Sequence, residues 1–136
     1  MLILLLACAG APSSTPTTPE APAAPARAPK AAWRNIDLST FKAEYYAGKV
    51  PLVVDVRTPK EYAEGHVPGA QSIPLDQLPA RMTELSSHKD APIYLICESG
   101  GRSARASDLL TAAGYQAVNI DGGTYAWREA GLPTEK

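Results

Sequence analysis

The sequence predicts an α/β fold, with a central, mostly parallel β-sheet and helices on both of its faces. Short apolar runs alternate with helical segments through the last hundred or so residues, which is the pattern of successive strand–helix–strand units. The two clearest runs, 52–56 and 92–96, are almost continuously apolar, so each predicts a strand that is buried between two layers of helices. In such sheets, ligands bind outside the carboxyl ends of the strands.

Capping residues set the boundaries of the predicted helices. Ser39 is a suitable N-cap for the first helix, which Gly48 ends. Thr58 and Glu61 have the spacing of a capping box, with Pro59 at the first helical position between them. The predicted elements are, in order, a helix at 39–47, a strand at 52–56, a helix from 58 to about 65, a weak strand at 69–73, a helical segment at 75–85, a strand at 92–96, a helix at 103–113, a strand at 117–120 and a helix at 124–130.

The first thirty residues differ in composition from the rest. Residues 1–8 are apolar, and residues 5–8 resemble the lipobox of a bacterial lipoprotein signal peptide, in which Cys8 would be lipidated. Residues 9–30 hold six of the 13 prolines and no aromatic residue, so they predict a disordered tether. We therefore expect a domain at 31–136, anchored to a membrane in the periplasm. The apolar run is short and no basic residue precedes it, so we expect the start codon to lie upstream. Without a genuine signal, a cytoplasmic protein is expected.

Composition excludes several classes of function. The net charge is −1 over 136 residues and no cluster of lysine and arginine occurs, so no nucleic-acid partner is predicted. The two histidines and two cysteines lack the spacing of metal ligands, and no lysine-containing phosphate-binding loop is present. We therefore predict no metal and no cofactor. With one cysteine in the leader and one in the domain, no disulfide framework is predicted.

The most informative motif begins at Cys97, directly after the strand at 92–96 and directly before a helix. Backbone N–H groups that converge there, with a nearby arginine, would lower the pKa of the thiol and produce a nucleophilic thiolate. A cysteine that only fills space is the alternative, but it requires neither two glycines nor an arginine. Asp55 and Arg57, at the end of the neighbouring strand, are expected to brace the site rather than to react. The loop consists of Cys97, Glu98, Ser99, Gly100, Gly101, Arg102 and Ser103.

Three segments together resemble the family of single-domain rhodaneses, which are sulfurtransferases: 55–70, 97–103, and 121–123 with Trp127. The resemblance implies a rhodanese-like three-layer fold. It also implies that Cys97 attacks a sulfane sulfur donor such as thiosulfate, a persulfide or a polysulfide. Cys97 would carry the sulfur as a persulfide and pass it to a thiol or to cyanide. The backbone amides of 98–103 would stabilise the negative charge on sulfur.

Alternatives remain at three points. A rhodanese-like domain tethered to the envelope would bind or sense without turnover, although the retained Cys97 and intact loop favour an enzyme. Arg102 either supports the loop and the donor's charge or forms a surface salt bridge. Glu61 and Glu98 are expected near the mouth of the site, where they would repel a dianion such as thiosulfate and favour a persulfide or polysulfide.

Two further interpretations concern the loop and a histidine. From Cys97 to Arg102 the loop spans six residues, one fewer than in related phosphatases, so it is expected to fit a sulfur atom rather than a phosphate. His66 lies in a Gly-His-Val-Pro-Gly turn, and we interpret it as a structural residue rather than a general base.

Overall fold

The computed structural model describes Gly10 and residues 33–136, so the predictions for the leader, for Cys8 and for the tether lie outside the described residues. Within the described part, no helix is long and apolar enough to cross a membrane. The elements are, in order, β1 (Arg34–Ile36), α1 (Leu38–Tyr46), β2 (Val53–Asp55), α2 (Pro59–Glu64), β3 (Gln71–Ser72), α3 (Leu78–Arg81), a 3-10 helix (Met82–His88), β4 (Pro92–Ile96), α4 (Gly101–Ala112), β5 (Gln116–Ile120) and α5 (Gly123–Glu129).

The strands form one sheet in the order β1-β5-β4-β2-β3, and every neighbouring pair in it is parallel. This confirms the predicted α/β class and the parallel sheet. β4 lies at the centre of the sheet, so the residue after its carboxyl end has a neighbouring strand on each side, β5 and β2. A short antiparallel bridge between His66 and Glu135 ties the C-terminal segment to the turn after α2.

Two apolar clusters cover the two faces of the sheet and give the fold its three layers. One contains Leu95 and Cys97 with Leu110 of α4, and we call this side the α4 face. The other contains Ile96 with Phe41 of α1 and Trp127 of α5, and we call it the α5 face. Successive residues of a strand point to opposite faces, which explains why neighbours in β4 belong to different clusters.

Most predicted elements are present with boundaries within two residues, and the exceptions have local causes. Asp37 is the N-cap of α1 instead of Ser39, because its carboxylate accepts the Thr40 N–H at 2.8 Å. The segment at 75–85, predicted as one or two helical turns followed by a helix, contains the single turn α3 and then a 3-10 helix instead of an α-helix. β1 was not predicted, since it has three residues and only Ile36 is buried. The capping box of Thr58 is confirmed, with both of its hydrogen bonds present.

Candidate active site

Cys97 follows the last residue of the central strand β4, at the edge where the parallel strands end. Its side chain lies on the α4 face and is 1% exposed. α4 begins at Gly101, two residues earlier than expected, so Arg102 and Ser103 belong to its first turn. The loop between strand and helix is therefore short, and the sulfur lies close to the helix N-terminus.

Two hydrogen-bond donors contact the sulfur directly. The Gly100 N–H donates to Cys97 Sγ at 3.0 Å, and the Ser103 hydroxyl lies 3.3 Å from the same atom. Burial raises the pKa of the Cys97 thiol, whereas hydrogen bonds from the Ser103 hydroxyl and from nearby backbone N–H groups lower it. The hydrogen bonds outweigh burial, so the pKa lies below its ordinary value. Stabilisation of the thiolate is what a sulfur nucleophile requires.

The opposite side of the same loop is bound by the start of α5. In a trans peptide the C=O and N–H groups point in opposite directions. A donor that binds the Ser99 carbonyl therefore directs the Gly100 N–H toward the sulfur. The segment preceding and starting α5 supplies such donors to three successive loop carbonyls: Thr124 N–H to Cys97 O at 2.8 Å, Tyr125 N–H to Glu98 O at 3.0 Å and Gly122 N–H to Ser99 O at 3.1 Å. The orientation of the sulfur-binding amides thus depends on α5.

Gly123 allows this close approach between α5 and the loop. A Cβ atom there would lie 2.2 Å from the Cys97 carbonyl oxygen and 2.8 Å from the Glu98 carbonyl oxygen. Its φ of +52° is also in the left-handed region that favours glycine. Both the space and the backbone conformation therefore require glycine at this position.

Asp55 and Arg57 form a buried ion pair beside the loop. Arg57 is 2% exposed and its Nη2 lies 2.7 Å from Asp55 Oδ2. The same Nη2 donates to the Gly65 carbonyl at 2.7 Å, and Nη1 lies 3.4 Å from a Glu98 carboxylate oxygen. The guanidinium thus joins the end of β2, the end of α2 and the active-site loop.

Both carboxylates that were expected to repel a dianion are paired with arginines. Arg102 donates to the two oxygens of Glu61 at 2.8 Å each, and Arg128 of α5 forms an ion pair with Glu98. The hydrogen bond from Arg102 is the largest cause that lowers the pKa of Glu61, to about 2. The premise that these carboxylates act as uncompensated negative charges is therefore wrong. Of the two interpretations of Arg102, the structure shows the salt bridge.

Each residue of the Glu61–Arg102 pair lines a different cavity. The larger, of about 570 Å³, is on the α4 face and is bounded by Arg57 and Arg102 next to the loop. The smaller, of about 340 Å³, is lined by Arg57, Glu61, Glu64, Glu98 and Arg128. Cys97 is not among the residues that line either cavity.

His66 is bound within the fold. Its ring stacks on Tyr62 with a centroid distance of 3.7 Å, and its Nδ1 donates to the Tyr62 carbonyl at 2.9 Å. The interpretation of His66 as a structural residue is confirmed. Among residues 33–136 there is no group of three or more histidine, cysteine, aspartate and glutamate side chains that could hold a metal ion.

The sequence interpretation missed the contribution of α5 to the site. The donors of Gly122, Thr124 and Tyr125 are backbone groups, which carry no residue-type signature. The pair of glycines at 122–123 was the available signal, because a β-strand followed by two glycines indicates a close backbone approach. Arg128 was missed as the partner of Glu98, which is 30 positions away.

Comparison with known proteins places this geometry in a family. Residues 37–130 match the family described as "Rhodanese-like domain". The chain is 43% identical over 83 residues to a protein of Allochromatium vinosum named sulfurtransferase, which covers 60% of this chain and 76% of the relative. It is 33% identical over 86 residues to the thiosulfate sulfurtransferase PspE of Escherichia coli, across 63% of this chain and 76% of that one. A rhodanese-related protein from Thermoplasma volcanium has a similar structure, with a TM-score of 0.67 and 31% identity over 76% of this chain and 98% of the other.

Proposed function

Because the chain belongs to the rhodanese-like family, whose members similar to it include sulfurtransferases, we propose that it transfers sulfane sulfur through a persulfide on Cys97. One observation carries the proposal: the Gly100 N–H and the Ser103 hydroxyl converge on Cys97 Sγ at 3.0 and 3.3 Å. These donors stabilise negative charge on Sγ in the thiolate that attacks the donor, and again when the electron pair of the Sγ–S bond returns to Cys97. They act as oxyanion-hole donors act on oxygen.

The first half-reaction loads the cysteine. The Cys97 thiolate attacks the outer sulfur of the donor, a new Sγ–S bond forms and the donor's sulfur–sulfur bond breaks. The leaving group, sulfite from thiosulfate or a thiolate from a persulfide, takes the bonding electron pair. The second half-reaction unloads it, when a cyanide or thiolate acceptor bonds to the outer sulfur and the electron pair of the Sγ–S bond returns to Cys97. Neither half-reaction requires a cofactor.

Intact-protein mass spectrometry after incubation with thiosulfate, glutathione persulfide or polysulfide tests the proposal. We expect the mass to increase by one sulfur atom and to return to the starting value when cyanide is added. Cys97→Ser should abolish the increase, whereas Cys8→Ser, which removes the other cysteine, should retain it. An adduct that survives in Cys97→Ser would contradict the proposal.

A second candidate, a binding or sensing module without turnover, draws support from the burial of Cys97, whose side chain is 1% exposed. In that case the thiol would react with no donor. The two candidates are separated by iodoacetamide, a small electrophile. An enzyme should be alkylated at Cys97 Sγ at neutral pH, and prior persulfide formation should direct the alkyl group to the outer sulfur, from which a disulfide reductant releases it. A closed binding module should be alkylated only after unfolding.

We further propose that Cys8 is lipidated and holds the domain at the periplasmic face of a membrane. The support is the lipobox-like sequence at residues 5–8, followed by the Pro- and Ala-rich segment at 9–30. Cells that express the full chain and are labelled with palmitate should incorporate the label into the membrane fraction. Cys8→Ser should lose both the label and the membrane association, and Cys97→Ser should retain both. A labelled Cys8→Ser protein, or an unlabelled wild type, would refute the anchor.

A further inference from the structure

We propose that a groove along α1 binds the chain's own proline-rich segment, residues 16–25, as an extended polyproline II strand. The groove has a volume of about 320 Å³ and is lined by Ser39, Lys42, Ala43 and Tyr46, and we call it the α1 groove. The segment lies outside the described residues and is argued from its sequence. The proposal is independent of sulfur transfer, because α1 packs on the α5 face, whereas the Cys97 side chain lies on the α4 face.

The prolines of this segment have a regular spacing. Four of them, Pro16, Pro19, Pro22 and Pro25, repeat at intervals of three residues. Polyproline II has three residues per turn and rises about 3.1 Å per residue, so in that conformation the four rings lie along one edge, about 9 Å apart. A flexible tether needs a polar or proline-rich composition but no such period. The period therefore indicates a surface that the rings contact.

Tyr46 provides an exposed aromatic ring that is already held in place. Its side chain is 57% exposed. Nevertheless, its ring stacks on Trp127 with 6.4 Å between the centroids and 13° between the planes, and the Tyr45 ring lies edge-on against it at 5.2 Å. Grooves that bind polyproline II segments are lined by aromatic side chains. A ring that is ordered before binding loses little conformational entropy when a proline packs on it.

The length of the α1 groove matches one turn of the segment. Ser39 and Tyr46 line its two ends along the helix and are seven positions apart. At 1.5 Å per residue, this separation is about 10 Å. Successive prolines of the segment are about 9 Å apart in polyproline II. One turn therefore spans the groove, with one of its two proline rings on Tyr46.

Charge selects which turn occupies the groove. Lys42 forms no ion pair within residues 33–136. Residues 9–26 contain a single charged side chain, Glu20, which lies between Pro19 and Pro22. Lys42 and Tyr46 are four residues apart and are therefore neighbours on one helix face. The turn from Pro19 to Pro22 thus brings the Glu20 carboxylate within the reach of Lys42 while a proline covers Tyr46.

The segment is connected to the domain at a point close to α1. Arg34 of β1 forms an ion pair with Glu44 of α1, so the chain enters the sheet beside this helix. Arg34 is twelve positions after Pro22, a connection that reaches up to about 37 Å in polyproline II. The whole of α1, with nine residues, is only about 14 Å long. A short connection gives an effective concentration of millimolar order, so a contact with a Kd of about 1 mM would form in about half of the molecules.

Docking would shorten the tether between the domain and the proposed anchor. Pro19 is eleven positions after Cys8, and Trp33 is 25 positions after it. With the segment in the α1 groove, the free chain after Cys8 would reach at most about 34 Å, compared with about 78 Å for the whole tether.

Paramagnetic relaxation in the full chain tests the proposal. A nitroxide is attached at Ala21→Cys, with Cys8→Ser and Cys97→Ser removing the other two cysteines, so neither lipidation nor sulfur chemistry contributes. The label should broaden the amide NMR signals of Lys42 and Ala43 much more than that of Thr83, which lies in the 3-10 helix. Replacing Pro19 and Pro22 by alanine should abolish this difference.

Two tyrosines of nearly equal exposure provide a matched pair of variants. Tyr46→Ala should abolish the selective broadening. Tyr125→Ala should retain it, because Tyr125 is 55% exposed but lies on α5 and does not line the α1 groove. Equal broadening in these two variants would contradict the assignment of the groove.

Charge reversal tests the same contact without changing an aromatic ring. Lys42→Glu should reduce the broadening, and adding Glu20→Lys should restore it, whereas Lys49→Glu should leave it unchanged. A mixture of spin-labelled chains and isotope-labelled chains without the nitroxide identifies the occupant, and the isotope-labelled chains should show no broadening. Broadening in that mixture would place a second copy's segment in the groove and overturn the proposal. Broadening that is uniform over the domain, or that ignores Lys42→Glu, would also overturn it.

Discussion

Gly123→Ala should raise the pKa of the Cys97 thiol, although the two residues lie in different segments of the chain. A Cβ atom at position 123 would lie 2.2 Å from the Cys97 carbonyl oxygen, whereas real Cβ atoms essentially never approach closer than 3.0 Å. The loop and α5 must therefore separate by at least the difference, 0.8 Å. The neighbouring contacts are backbone atoms, so no side-chain rotation relieves the overlap.

The size of the effect follows from the hydrogen bonds that depend on α5. A separation of this size disrupts the bonds that hold the Cys97 and Ser99 carbonyls, and with them the direction of the Gly100 N–H. A hydrogen bond to a charged group contributes about 1.5–3 kcal/mol, and one pKa unit corresponds to about 1.36 kcal/mol. Loss of one such bond to the thiolate should thus raise the pKa of Cys97 by about one to two units. At pH values below the pKa of the wild-type thiol, the thiolate fraction would fall by about tenfold to a hundredfold.

The pH dependence of alkylation by iodoacetamide measures this pKa directly. Gly114→Ala is the matched control, because Gly114 has a φ of +89° and a Cβ atom there would contact nothing within 4 Å. Both variants place alanine in a left-handed conformation, at a cost of about 1–2 kcal/mol, but only one displaces the loop. Equal thiol pKa values for folded Gly123→Ala and wild type would refute the role assigned to α5.

Three further predictions concern the surroundings of the sulfur. Ser103→Ala removes one donor to the thiolate and should raise the pKa of the Cys97 thiol by about one unit. The same alkylation profile measures this pKa, and an unchanged profile would show that the hydroxyl does not stabilise the thiolate. Arg57→Ala leaves a buried carboxylate unpaired and should lower the free energy of unfolding by about 3–5 kcal/mol. Arg128→Ala breaks a more exposed pair and should cost about 1 kcal/mol or less; urea denaturation compares the two, and equal losses would contradict the bracing role. Glu61 has a folded pKa of about 2 against an ordinary value of 4.5, so its contribution to stability is fully present above pH 4.5 and is lost as the pH falls toward 2. In Glu61→Gln, the free energy of unfolding should therefore decrease less than in the wild type as the pH falls from 4.5 toward 2. An equal decrease in both proteins would contradict the pairing with Arg102.

Local sequence signals were enough to predict the order of the main elements and the position of Cys97 at the end of a strand. Residues 92–96 form a strand with the predicted boundaries, and the capping box of Thr58 begins α2 as expected. The sequence places Cys97 directly after the strand at 92–96, and ligands bind outside the carboxyl ends of the strands in a parallel sheet. These features depend on residues that are neighbours in the chain, so a pattern of a few residues is sufficient to find them.

The features that were missed depend on contacts between distant segments. Glu61 and Arg102 are 41 positions apart, and nothing in either local segment indicates that they pair. The charge at the mouth of the site was therefore predicted from the two glutamates alone, without the arginines that pair with them. β1 escaped prediction for a similar reason, since Arg34–Ile36 becomes a strand only through its pairing with β5. Backbone donors of α5 are even less visible, because every residue except proline has an N–H group.

The dependence of the loop on α5 has a consequence for biosynthesis. Residue 97 leaves the ribosome before the helix at 123–129 does, and domains generally fold as units once their chain has emerged. A growing chain therefore carries an ordinary, poorly ionised cysteine that reacts slowly with electrophiles and oxidants. The lower pKa of this thiol develops only when the last helix docks, so Cys97 stays in its less reactive, protonated form until the domain has folded.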